Sequence, residues 1–345
     1  MSSRGAVTGP SAPPSSSNGG PGRARHGARD FGEKYGLLFV FAAVVAFFGL
    51  WDKTGSVFLS HSNIVQLIGG QMVLVLVALA VMLPLNSGYF DLSAGAITGV
   101  ASVTCAALMS KTGAPLAVAA VAGIAMGTLL GVVNGILVSR FRLSSVITTL
   151  AMSIALGGLM QWYTKGQIIS NHISHSFLKF GSSNWLGIPK LAYVVIPIVL
   201  IVWYVQEYTV WGRYQQAVNS SDQASRLVGV NVDRAVFMSF VLAGLVAGIA
   251  GVLLVARAGG ADATTGPSFL FPALAAVFLG AATIRPGRAN ALGTLVGVFF
   301  VAISVSGLTL AGASSWVAEV FNGGILFIAA ALSAVFARQR GRRMF

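Results

Sequence analysis

Charge is scarce in this chain. Of 345 residues only 9% are charged, against about 25% in an ordinary soluble domain. With 55% hydrophobic residues and a mean hydropathy of +0.80, too little polar material remains to cover a water-soluble fold. Cysteine is almost missing as well, and the lone Cys105 excludes a disulfide scaffold. No heptad is sustained and no Gly-x-x period runs, which removes coiled coil and collagen. The phosphate-loop pattern GxxxxGK[ST] is absent, as are GxSxG and HExxH. His172 and His175 stand in a polar loop without cysteine or carboxylate neighbours, the pattern of solvated histidines rather than a metal set. The sequence therefore shows no catalytic residue, no metal ligands and no nucleotide cofactor site. What remains is an all-α, polytopic transmembrane bundle.

A crossing helix needs about 20 mostly apolar residues. Ten apolar segments meet that expectation: 35–51, 63–83, 92–110, 114–139, 143–164, 190–207, 235–257, 270–284, 290–311 and 315–336. Barrel strands would alternate with period two in short segments, and they do not appear. Residues 35–337 thus form one membrane domain. A Ser-, Pro-, Gly- and Arg-rich tail (1–34) precedes it, and a basic tail (338–345) follows. The first tail is too poor in apolar residues to fold and reads as a disordered cytoplasmic leader. Its Arg cluster at 23–29 reads as solvated, with a lipid contact as the alternative.

The net charge of +13 would ordinarily raise nucleic acid as a partner, but its placement does not. With the N-terminus inside, sixteen Lys and Arg residues fall in inside segments and six outside. This is the positive-inside bias, and it places both termini in the cytoplasm. Scattered loop-end charges form no basic face for nucleic acid.

Glycine, by contrast, is abundant at 42 residues and lies inside the apolar segments. Gly123, Gly127, Gly131 and Gly135 recur every four residues, giving one smooth helix face that a neighbour can approach closely. Gly95 with Gly99, Gly244 with Gly248, and Gly293 with Gly297 repeat the spacing. These are helix-packing positions. Ionisable groups inside the spans are few, which speaks against ion coupling. Asp91 reads as an N-cap or a pathway residue, and Glu319 as a first-turn acid.

One polar stretch, Pro84 to Ser93, interrupts the apolar run from 63 to 110. Pro and Gly end one helix here, and Asp91 or Ser93 can cap the next. Asn86, Ser87, Asp91 and Ser93 beside Tyr89 and Phe90 suit a polyhydroxylated solute in transit. With Asn134 they are the candidate pathway residues, although a plain cytoplasmic turn also satisfies the charge count.

The inside segment 208–234 is the longest polar interruption of the bundle. Ser220-Ser221-Asp222-Gln223 has the form of a capping box. Asp222 and Arg226 are spaced to pair on one face. Ala224, Leu227 and Val228 make an apolar stripe, and Gly229 stops the helix. The expectation is a surface helix of about eight residues that docks into a partner's groove or lies on lipid.

Taken in order, several pieces resemble sugar permeases of ATP-binding-cassette importers, the ribose/xylose/rhamnose/galactoside type. They are Ser87-Gly-Tyr-Phe-Asp-Leu-Ser-Ala-Gly-Ala96, Gly131-Val-Val-Asn-Gly-Ile-Leu-Val138, Ile147-Thr-Thr-Leu150, Trp211-Gly-Arg-Tyr214, Ala224-Ser-Arg-Leu-Val-Gly-Val-Asn231, Ala273 to Gly280 and Gly293-Thr-Leu-Val-Gly297. Two departures stand out: Ile284-Arg-Pro-Gly-Arg288 replaces a glycine-rich turn, and the usual glycine is missing from Thr148 to Met152. The resemblance implies a permease without enzymatic activity of its own. ATP and Mg would be bound by a separate nucleotide-binding subunit that docks on Arg213 and the 220–229 helix. It further implies an extracytoplasmic sugar-binding protein, a second permease chain and a bacterial cytoplasmic membrane. Residue chemistry alone leaves other readings open: a stand-alone secondary transporter, or a membrane enzyme or scaffold.

Overall fold

The computed structural model describes residues 22–285 and 287–339, with side chains described for 35–285 and 287–331. Fifteen helices follow one another in the described residues. They are α1 (Gly22–Leu50), α2 (Gly55–Phe58), α3 (His61–Leu85), α4 (Ala94–Thr112), α5 (Leu116–Ser139), α6 (Ser145–Thr164), α7 (His175–Ser182), α8 (Lys190–Tyr208), α9 (Val210–Ser220), α10 (Asp222–Leu227), α11 (Val232–Ala258), α12 (Thr265–Ser268), α13 (Leu270–Ala281), α14 (Ala291–Leu310) and α15 (Ser315–Gln339). A two-residue hairpin, β1 (Asn184–Trp185) with β2 (Ile188–Pro189), precedes α8.

Each of the ten apolar segments coincides with a helix. By length and composition seven are able to cross a membrane: α3, α4, α5, α6, α8, α11 and α14. Three apolar stretches are shorter: Tyr35–Leu50, Thr265–Ala281 and Ser315–Ala331. The chain is therefore a multi-pass, all-α membrane protein.

Hydrophobicity all round a helix marks a buried one, and α3 is the clearest case. From Met72 to Leu85 every residue is buried, and α11, α13, α14 and α8 surround it. Helices α5, α6 and α8 behave differently, turning Val121, Ile154, Leu159, Trp162 and Ile201 outward. These are the faces a bilayer would cover.

Glycine sets the tightest crossings. A Cβ built on Gly127 would stand 2.6 Å from the Gly248 Cα, and one on Gly131 would stand 2.9 Å from the Gly244 Cα. The four-residue ridge on α5 is thus pressed against the matching pair on α11. The other two ridge glycines face different neighbours, Gly123 the backbone of Ala101 on α4 and Gly135 the Phe237 ring. On the opposite side Gly293 and Gly297 of α14 meet Gly280 and Ala276 of α13. Gly95 and Gly99 receive Gly266 of α12. Spacing revealed the ridges, but not which ridge meets which.

Some expectations are corrected. Backbone helix begins at Gly22, so α1 occupies part of the stretch expected to be disordered; residues 1–21 and 340–345 of the two tails lie outside the described residues. Helix α15 starts at Ser315 and has no acid in its first turn. Glu319 therefore lies one turn further in than a dipole-favoured acid. Segment 165–189 holds α7, the hairpin and an isolated bridge between Ile169 and Ala261.

Candidate functional site

The break between α3 and α4 is where the polar groups gather. Pro84 sits in the last turn of α3, and the Gly88 φ of +84° turns the chain where a Cβ would press on Asn219. Asn86, Ser87, Asp91, Ser93 and Asn134 are all buried, each 3% exposed or less. Asn134 Nδ2 donates to Ser93 Oγ at 2.7 Å. Ser93 Oγ in turn donates to Asp91 Oδ1 at 2.6 Å, and the Ser93 backbone N–H donates to the same oxygen at 2.8 Å. Asp91 thus folds the loop onto the start of α4. Ser93 occupies the N-cap position of α4 without giving a side-chain cap; the Asp91 carboxylate instead accepts from the backbone N–H groups of Ser93 and Ala94, as a capping side chain does.

Three buried atoms here have no hydrogen-bond partner: Asn86 Nδ2, Ser87 Oγ and Asn134 Oδ1. Unpaired buried polar groups are costly, and such a cluster is a reserve of donors and acceptors for a polar guest. The site is closed within the chain in this conformation.

Helix α6 holds the other side of the loop. The Phe90 N–H donates to Ser145 Oγ at 3.2 Å and the Leu92 N–H to Thr149 Oγ1 at 2.9 Å. The Phe90 ring is tilted against Phe278 of α13, with centroids 6.4 Å apart.

Segment 208–234 folds as two helices, not one. Helix α9 is capped by Thr209 and α10 by Ser221, whose Oγ accepts from the Ala224 N–H. Ser220 belongs to the last turn of α9 and donates to Gln216 O, so it does not cap α10; the cap lies one residue on, and Ala224 stands where a shifted box would need Glu or Gln. Helix α10 is six residues long, shorter than expected, and Gly229 follows it at φ +84°. The expected Asp222–Arg226 pair does not form, because both side chains have better partners. Arg226 Nη2 pairs with Asp233 Oδ1 at 2.5 Å, and this guanidinium holds the Asp233 carboxyl below its ordinary range. Asp222 Oδ2 accepts from the Tyr89 hydroxyl at 2.9 Å. Burial, then the Asp222 hydrogen bond, push the Tyr89 phenol up to about 12.

Three contacts therefore join this segment to the break. They are Tyr89 on Asp222, Asn219 under Gly88, and the buried bond from Gln215 Nε2 to Leu83 O at 3.0 Å. Sequence reasoning missed Gln215, since a glutamine in a polar loop carries no signal of burial. The stripe behaves as a free surface: Ala224 is exposed, as are Leu227 at 89% and Val228 at 77%. Arg213 is also exposed.

The Ile284–Arg288 departure has a structural counterpart. Arg285 Nη1 forms an ion pair with Glu207 Oε2, and Arg288 Nη2 lies 4.0 Å from Glu207 Oε1. A nearly buried carboxylate at the end of α8 thus anchors the turn where a glycine-rich sequence would need no such anchor.

Residues 63–330 match the family described as branched-chain amino acid transport system / permease component. The chain belongs to this permease family. Among curated proteins, the permease is 29% identical to the ribose import permease protein of Escherichia coli strain K12 over 276 residues, covering 79% of this chain and 85% of that one. It is 33% identical to the ribose import permease protein of Bacillus subtilis strain 168 over 276 residues, with 80% and 85% covered. With the fructose import permease protein of Rhizobium meliloti it shares 31% over 304 residues, covering 86% and 81%. No solved structure matches the permease.

Proposed function

We propose that this permease is the membrane-spanning subunit of an ATP-binding-cassette importer that carries a monosaccharide or similar polar solute into a bacterial cell. Relatives named for ribose, fructose, D-allose and galactofuranose support that solute class. In this reading all ten apolar helices cross the cytoplasmic membrane, with both termini inside as the positive-inside bias indicates.

The observation that carries the mechanism is the exposed apolar tip of α10 joined to the break through Tyr89. Leu227 and Val228 are too apolar to favour water, and a groove on a nucleotide-binding subunit would cover them. That subunit would hold ATP and Mg. Closure of two such subunits would move α9 and α10, and the Tyr89, Asn219 and Gln215 contacts would transmit the displacement to Asn86–Ser93. The unpaired Asn86, Ser87 and Asn134 groups would then meet solute hydroxyls at the interface with a second permease chain. Coupling requires different contacts in the two states rather than tight solute binding.

At the opposite end, a polar cavity of about 460 Å³ lies among His61, Gln66, Asn184 and Arg257. It would face the extracytoplasmic sugar-binding protein. The test is co-purification: Leu227→Asp should release the nucleotide-binding subunit while the permease stays folded in the membrane. Unchanged co-purification of Leu227→Asp with that subunit would contradict the docking role of α10.

A further inference from the structure

Between α5 and α6, over the outward face of α4, runs an apolar cleft of about 580 Å³. Val103 and Ala107 of α4 form its floor, Met126 of α5 one wall, and Leu156 and Met160 of α6 the other. We propose that this cleft holds one acyl chain of an anionic phospholipid, with the headgroup phosphate on Lys111.

Four observations lead there. Polarity is sorted along the cleft, since Lys111, Thr112 and Tyr163 gather at one end and the rest of the lining is almost wholly apolar. From Val100 to Thr112 helix α4 rises about 18 Å at 1.5 Å per residue, close to the roughly 15 Å hydrocarbon depth of one leaflet. Trp162, 77% exposed, stands beside Tyr163 at the polar end, and such aromatic pairs sit at headgroup level. Finally, the Lys111 Nζ lies 4.0 Å from the centre of the Tyr163 ring. No carboxylate lines the cleft, so the ammonium remains available to an anion.

Charge separates a lipid from a helix of another copy. An apolar helix laid in the cleft would cover the Lys111 ammonium without pairing it, at a desolvation cost. A headgroup phosphate supplies the missing charge.

The proposal is independent of the transport reading, because its test reads lipid retention alone. The full chain, purified in detergent, is titrated with phosphatidylglycerol or phosphatidylcholine and examined by native mass spectrometry. The wild type should retain phosphatidylglycerol about fivefold more strongly, the worth of one lysine at an anionic headgroup. Lys111→Met should abolish the preference, and as an exposed residue it can be replaced without disturbing the core. Ala107→Trp, which fills the floor, should reduce retention of both lipids. Equal retention by the wild type, or a preference unaltered in Lys111→Met, would overturn the proposal. So would a disulfide between two copies of Trp162→Cys formed with the lipid displaced, since the cleft would then be a contact between chains.

Discussion

The Tyr89 hydroxyl donates to Asp222 Oδ2 at 2.9 Å across 133 residues of sequence. One end of this bond is on the loop that interrupts two buried helices, and the other is on the first residue of α10. With the phenol pushed up to about 12 by burial and by Asp222, it stays protonated and donating throughout the physiological range.

Removing that hydroxyl should separate docking from transport. Tyr89→Phe keeps the ring and loses only the donor, at a cost of about 1 kcal/mol for a partly solvated bond to a carboxylate. The variant should bind the nucleotide-binding subunit as the wild type does, yet show ATP hydrolysis with reduced solute uptake. Comparing uptake per ATP consumed checks this, and an unchanged ratio would count against transmission through Tyr89.

A ridge glycine and a glycine in open space predict effects of opposite sign. Gly127→Ala places a methyl group 2.6 Å from the Gly248 Cα and should destabilise the protein by about 1–3 kcal/mol through overpacking. Gly157→Ala, on α6 with open space around it, should be neutral or stabilise by about 0.5–1 kcal/mol. Thermal unfolding midpoints in detergent distinguish the two.

A third prediction concerns acid. Burial would raise the Asp262 carboxyl, but hydrogen bonds from the hydroxyls and N–H groups of Thr265 and Thr264 outweigh it and leave the carboxyl below its ordinary range. A carboxyl depressed in the folded state adds stability above its unfolded pKa of about 3.9 and loses it as pH falls through the folded value. The midpoint difference between wild type and Asp262→Ala should therefore be constant from neutral pH to about pH 5 and shrink below about pH 4.

Glu207 tests the departure at Ile284–Arg288. Glu207→Gln leaves Arg285 and Arg288 without their nearly buried carboxylate. Because Arg285 is half exposed, the cost should be about 1–2 kcal/mol, below that of a fully buried pair. A further Arg285→Gln change should recover part of the lost midpoint.

Helix placement was legible because span length is set by the bilayer and apolar runs report it directly. The glycine ridges were legible for the same local reason, as a four-residue period on one helix. Partner choice was not. Asp222 and Arg226 satisfy the helical spacing for a pair, but each found a partner from another element: Tyr89 across the fold and Asp233 at the start of α11. Ser221 rather than Ser220 caps α10 because α9 extends through Ser220. The pathway candidates were recognisable as polar residues in an apolar run. Their closure inside the chain depends on α6 and α9, which lie dozens of residues away.

The central claim is that energy enters through a separate subunit docked at α10. Its most direct test is solute uptake into proteoliposomes containing the permease, with and without the nucleotide-binding subunit and ATP. The account predicts accumulation of a monosaccharide such as ribose only when the subunit, ATP and the sugar-binding protein are all present. Accumulation by the permease alone under an ion gradient would contradict it and make this chain a secondary transporter.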